Sequence, residues 1–80
     1  MLNLRLYYKP MCPFCIKVLK YLHNQGITIL LKDISSNSKY EQELIALGEK
    51  KQVPCLVIDG KAALYESDDI IQWFEKHHRR

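Results

Sequence analysis

Apolar and polar positions alternate first and then recur at helical spacing along this chain. Leu2, Leu4 and Leu6 lie on one side of a run ending at Tyr8, which predicts a first strand over 2–8. Lys9-Pro10-Met11 reads as a loop ending at Cys12, and Pro13 suits the first turn of a helix, where its missing N–H costs nothing. Ile16, Leu19 and Leu22 then recur at helical spacing, opposite Lys17, Lys20 and Gln25, and Gly26 is the stop signal. Residues 27–34 are aliphatic and β-branched, which predicts a second, largely buried strand.

Ser35 to Asn37 forms a polar turn, and Ser38-Lys39-Tyr40-Glu41 matches a capping box that opens a second helix. Its buried stripe is Tyr40, Leu44 and Leu47, and Gly48 loosens or ends it. A charged loop, Lys50 to Gln52, leads to a third strand over 54–58. Asp59-Gly60 is a hairpin turn into a short fourth strand over 61–65. Ser67, or an aspartate after it, caps a last helix with Ile70, Ile71 and Phe74 as its apolar positions. Lys76, His77 and His78 near its end suit the macrodipole.

The order is β-α-β-α-β-β-α. A right-handed crossover makes the first two strands parallel, and the tight turn makes the last two antiparallel. The expected fold class is α/β: a four-stranded mixed sheet with helices on both faces, forming one domain over 1–80. At 80 residues the chain has room for one core. Its net charge of +3 comes with no long basic stripe, which argues against nucleic acid and leaves only a mild attraction for anionic substrates. No apolar run is long enough to span a bilayer, and no leader peptide is evident at the start. Three cysteines is an odd count, unlike a small secreted disulfide scaffold. A cytoplasmic, membrane-free monomer is the expectation.

The chemistry concentrates in Cys12-Pro13-Phe14-Cys15. Two thiols two residues apart, at a strand-to-helix junction, read as a redox pair. Disulfide exchange needs a thiolate, a second thiol within reach and access for the partner. Cys12 faces the free N–H groups of the helix start, and Lys9 adds positive charge upstream, so Cys12 is the attacking thiol with a depressed pKa. Cys15, one turn further in, stays protonated and resolves. Pro13 stiffens the ring, and Phe14 offers a flat apolar surface. A zinc site would need about four ligands, but Cys55, His23, His77 and His78 lack a second-pair spacing. Cys55 reads as a buried strand residue.

With these motifs in order, the chain resembles a glutaredoxin of the thioredoxin-fold superfamily. The residues that carry the resemblance are Lys9 ahead of Cys12-Pro13-Phe14-Cys15, then Val53-Pro54, then Ser67-Asp68-Asp69-Ile70. It implies a thioredoxin-like fold and a glutathione-dependent dithiol–disulfide oxidoreductase acting on protein disulfides or glutathione mixed disulfides. Glutathione would be a co-substrate, with no tightly bound cofactor and no metal. It also implies a cis Val53-Pro54 bond, with the Val53 backbone offered to the glutathione cysteine. Ser67 and Asp68 would hold the γ-glutamyl end, and Lys9 would face the glycine carboxylate. Phe14 stands where many members carry Tyr, and Gln52 stands where threonine is usual. Tyr65-Glu66 replaces a Gly-Gly pair, while Glu66-Ser67 is similar to the Glu-Ser pair of glutathione transferase N-terminal domains. Three alternatives accompany this reading. One is a carrier reduced by thioredoxin reductase, although the Trp-Ser-Gly-Phe pattern of such carriers does not occur. Another is a non-enzymatic iron–sulfur cluster carrier, for which Pro13 is unusually rigid. The third is a transferase N-terminal half, against which the chain's stop at Arg80 counts.

Overall fold

The computed structural model describes residues 3–48 and 50–77. Leu2, His78, Arg79 and Arg80 lie outside the described residues. Seven elements follow in the expected order: β1 (Leu4–Tyr8), α1 (Pro13–Asn24), β2 (Leu30–Asp33), α2 (Ser38–Gly48), β3 (Cys55–Ile58), β4 (Ala62–Leu64) and α3 (Ser67–His77). They form one four-stranded sheet in the order β2-β1-β3-β4. β1 runs parallel to β2, and β3 runs antiparallel to both β1 and β4. This is the thioredoxin-like fold.

Strand alternation divides the core in two. On one face Leu6 and Leu56 pack with Val18 and Leu22 of α1 and with Ile70 and Phe74 of α3. On the other, Tyr7, Cys55 and Val57 pack with Ile34 and with Leu44 of α2. Helices therefore cover both faces, as the layer argument requires.

Four local readings are corrected. The second strand is not largely buried: it spans only Leu30–Asp33 at the sheet edge, with Leu30 55% and Leu31 44% exposed. Residues 25–27 instead close α1: Gly26 takes φ 66°, its N–H bonds to the His23 carbonyl at 3.1 Å, and the Ile27 N–H bonds to the Leu22 carbonyl at 2.9 Å. That pair of bonds is a Schellman stop, and it uses up the first part of the apolar run. The buried positions of α1 are Cys15, Val18 and Leu22, with Ile16 exposed and Leu19 only partly covered. In α2, Leu47 is exposed, and Asn37, not Ser38, caps the helix by accepting the Lys39 N–H at 2.9 Å. In α3, Ser67 is already the first helical residue, and the cap position falls to Glu66, whose carbonyl accepts the Ile70 N–H at 2.9 Å.

The Asp59-Gly60 turn is as expected. Both residues have positive φ, 54° and 68°, and the Lys61 N–H closes the turn on the Ile58 carbonyl at 3.0 Å; Ile58 pairs with Ala62, so Lys61 belongs to the loop and not to the fourth strand. Asp59 also ties down the start of β1: its carboxylate accepts the Asn3 N–H at 2.6 Å, and its own N–H donates to the Asn3 carbonyl at 2.7 Å.

Candidate active site

Sheet register gathers the singled-out residues at one end of the molecule. Tyr7 of β1 lies opposite Cys55 of β3, so Val53-Pro54 extends past the end of β1 toward the loop carrying Lys9 and Cys12. Leu64 lies opposite Leu56, so the chain leaves β4 beside Cys55 and turns through Tyr65-Glu66 into α3. The Val53–Pro54 peptide bond is cis. Pro54 is buried and Val53 half-buried against the Tyr7–Cys55 core.

Cys12 sits at the cap position of α1 in extended conformation, φ −82° and ψ 122°, and no side chain caps the helix. The first-turn N–H groups are thus left to its sulfur. A tight turn supports this placement: the Cys12 N–H donates to the Lys9 carbonyl at 3.2 Å, and the Cys12 carbonyl accepts the Ile16 N–H at 2.9 Å. Partial burial pushes the Cys12 thiol pKa up. The Cys15 N–H, the Cys15 thiol, the Phe14 N–H and the Lys9 ammonium outweigh it, so Cys12 falls below the ordinary thiol value. Cys15 is fully buried, and burial is the main cause that pushes its pKa to about 12. A hydrogen bond with the Lys9 backbone is the next cause and lowers it; the hydrogen bond to Cys12 and the Cys12 charge raise it, and the Lys9 ammonium lowers it least. Two thiols one turn apart are thus driven in opposite directions, and both are free thiols here.

The rim is apolar and cationic. Met11 is 88% and Phe14 63% exposed beside Cys12, and Lys9 is exposed. Ser67 is buried at the first position of α3. Asp68 follows it and forms an ion pair with Lys17 of α1, which brings the start of α3 against the cysteine-bearing helix. Gln52 is half-buried. Its neighbours are committed elsewhere: Lys51 Nζ lies 3.3 Å from Glu41, and Lys50 Nζ lies 4.9 Å from the centre of the Tyr65 ring. Burial raises the pKa of Cys55 to about 11, against a hydrogen bond from Tyr65 that lowers it. Tyr65 is therefore a packed wall between Lys50 and Cys55.

Sequence reasoning counted Lys17 only as a polar-face residue. Its partner lies 51 positions away, so nothing local in the chain announces the pair. Among the described residues no group of three or more His, Cys, Asp or Glu side chains is placed to hold a metal ion, and no helix is long and apolar enough to cross a membrane.

Comparison with known proteins bears on family and fold. A family model described as the glutathione S-transferase N-terminal domain matches residues 6–80. An uncharacterized glutaredoxin-like 8.6 kDa protein in the rubredoxin operon of Clostridium pasteurianum is 30% identical over 57 residues, covering 71% of this chain and 76% of that protein. Glutathione transferase Omega 3C from Trametes versicolor superimposes with a TM-score of 0.80 at 31% identity over 95% of this chain, which spans only 34% of that transferase. Glutaredoxin C1 from Populus tremula x tremuloides gives a TM-score of 0.70 at 19% identity, over 92% of this chain and 75% of that one, a likeness of fold. The chain belongs to the glutathione S-transferase N-terminal domain family and is a glutaredoxin-like member of the thioredoxin fold.

Proposed function

We infer that this chain is a glutathione-dependent thiol–disulfide oxidoreductase in which Cys12 attacks and Cys15 resolves. The observation that carries this reading is the opposed pair of thiols: Cys12 lowered at a helix start, Cys15 raised to about 12 beneath it. The Cys12 thiolate attacks one sulfur of a substrate disulfide. A Cys12–substrate bond forms, the substrate S–S bond breaks, and the departing thiolate takes a proton from water. Charge has then left Cys12, so two causes that raise the Cys15 pKa disappear, its hydrogen bond to Cys12 and the Cys12 charge. Cys15 loses its proton and attacks Cys12, releasing the second substrate thiol and leaving a Cys12–Cys15 disulfide. Two glutathione molecules restore the dithiol and leave as glutathione disulfide. A glutathione mixed disulfide needs no Cys15, because a second glutathione can attack Cys12 directly.

For the tripeptide, the Val53 backbone beside cis Pro54 suits the cysteinyl amide, and the N–H groups of α3 with Ser67 suit the γ-glutamyl carboxylate. Lys9 and the Gln52 amide suit the glycine carboxylate. Asp68 suits the ligand ammonium, and Glu66 flanks that end. The exposed Met11 and Phe14 offer an apolar landing for a protein disulfide, and such chemistry suits a reducing, cytoplasmic setting.

The test is turnover of a small glutathione mixed disulfide, coupled through glutathione to glutathione reductase. Cys12→Ser should abolish it. Cys15→Ser should retain it and lose most reduction of a protein disulfide. Turnover that survives Cys12→Ser would sink the assignment.

A second reading is favoured by the match to the transferase domain over residues 6–80. Here the domain is the thiol-binding part of a transferase, with Cys12 as its reactive group. Conjugation of glutathione to an aryl halide faster than disulfide reduction would support that reading over the first.

A further inference from the structure

Lys17 of α1 and Asp68 of α3 meet across the contact between the two helices, and their side chains are 53% and 71% exposed. Asp68 is the second residue of α3, the position given above to the ammonium group of the ligand. A cation of the chain already occupies it. We propose that Lys17 is the resident counter-ion of Asp68 and sets how strongly the site selects a thiol bearing an α-amino group. The ammonium of a γ-glutamyl thiol has to compete with Lys17 Nζ for the Asp68 carboxylate. This inference rests on the glutathione reading of the site.

Lys17 acts on the two ligand charges in opposite ways. Asp68 and Asp69 are consecutive carboxylates in the first turn of α3. Left alone, they would repel a ligand carboxylate approaching the N–H groups of the same turn. By neutralising Asp68, Lys17 keeps that helix start attractive to an anion. The same contact shields Asp68 from an incoming ammonium. Both partners are wet, so the pair is weak and salt-screened, and a ligand can displace it. Lys17 lies five residues past Cys12, about 7.5 Å along the helix axis, so it serves the far end of a bound tripeptide and not the reacting sulfur.

The experiment compares two mixed disulfides with 2-mercaptoethanol, one of glutathione and one of its deaminated analogue, glutaryl-cysteinyl-glycine. Both carry the same thiol and the same glycine carboxylate. Single-turnover rates of oxidation of the reduced protein are followed by loss of thiolate absorbance. The ratio of the two rates reads the amine alone, a quantity that a merely structural brace would not move. Lys17→Met should raise the preference for glutathione by about two- to five-fold at low salt, the range open to an exposed pair. Lys17→Arg should keep the native ratio, and Lys17→Gln serves if the Met variant folds poorly. Asp68→Asn should make the ratio insensitive to residue 17. A ratio unmoved by Lys17→Met at low salt, or raised equally when Asp68→Asn is also present, overturns the proposal. If the native chain reacts with neither disulfide, the glutathione reading falls and this inference with it. If it reacts with both and the ratio stays fixed, this inference alone falls.

Discussion

The Cys12 sulfur is held below its ordinary pKa mainly by groups of its own helix start: the Cys15 N–H, the Cys15 thiol and the Phe14 N–H each count for more than the Lys9 ammonium. Lys9→Gln should therefore raise the Cys12 pKa but leave it below that of a free thiol, ~8.5. The thiolate fraction grows as pH rises through the pKa, so alkylation of Cys12 by iodoacetamide should level off at lower pH than alkylation of free cysteine. In Lys9→Gln that plateau should move toward higher pH. No movement would mean that the Lys9 charge does not reach the sulfur. The opposite environments of the two thiols were legible in the sequence because helix position alone separates them: one at the cap, one a turn inside. The Lys17–Asp68 contact was not legible, because tertiary packing of α1 on α3 makes it.

Among the elements, turns were read better than strand environments. Asp59-Gly60 demands positive φ at both residues, and few residue types accept that, so the sequence names its own conformation. The run from Ile27 carries no such mark. Aliphatic and β-branched residues suit edge and central strands alike, and only pairing with β1 on one side makes β2 an edge. The cap of α2 slipped by one residue because Asn37 and Ser38 both cap well, and only the side-chain bond to the Lys39 N–H decides between them. The turn also supports a stability prediction. Asp59→Ala removes the bond to the Asn3 N–H and puts a less tolerant residue at φ 54°. It should cost about 1–2 kcal/mol in chemical denaturation. Asp59→Gly relieves the backbone and loses only the bond, so it should cost less. Equal losses for the two variants would show that backbone conformation carries none of the effect.

For the whole molecule, strand and helix order was enough to give the topology, since handedness and the tight turn leave few ways to arrange four strands. What the order does not give is how the two core faces treat their buried ionisable groups. Cys15 belongs to one side of the site and Cys55 to the Tyr7 face, and burial raises their thiol pKa values to about 12 and about 11. In the unfolded chain both would ionise near pH ~8.5. A raised folded pKa means that the native state keeps a proton the unfolded state has lost. The stabilisation is complete below the unfolded value and is lost as pH climbs toward the folded one. Cys12 has the opposite sign: its lowered pKa adds stability that grows as pH rises through the unfolded value and levels off about one unit above it, so it offsets the start of the decline. The reduced protein should therefore weaken from about pH 9 upward, approaching roughly 1.4 kcal/mol per pH unit for each buried thiol. Tyr7, raised to about 12 mainly by burial, joins the decline only above pH ~10. A domain of this size holds roughly 4–12 kcal/mol in all, so the loss should be plain in urea titrations from about pH 9 to 10. Cys55→Ala removes one of the two retained protons and should fall less steeply over the same range, whatever its stability at pH 7. A flat native profile, or a variant slope equal to the native one, would mean that Cys55 ionises in the folded core as easily as in water.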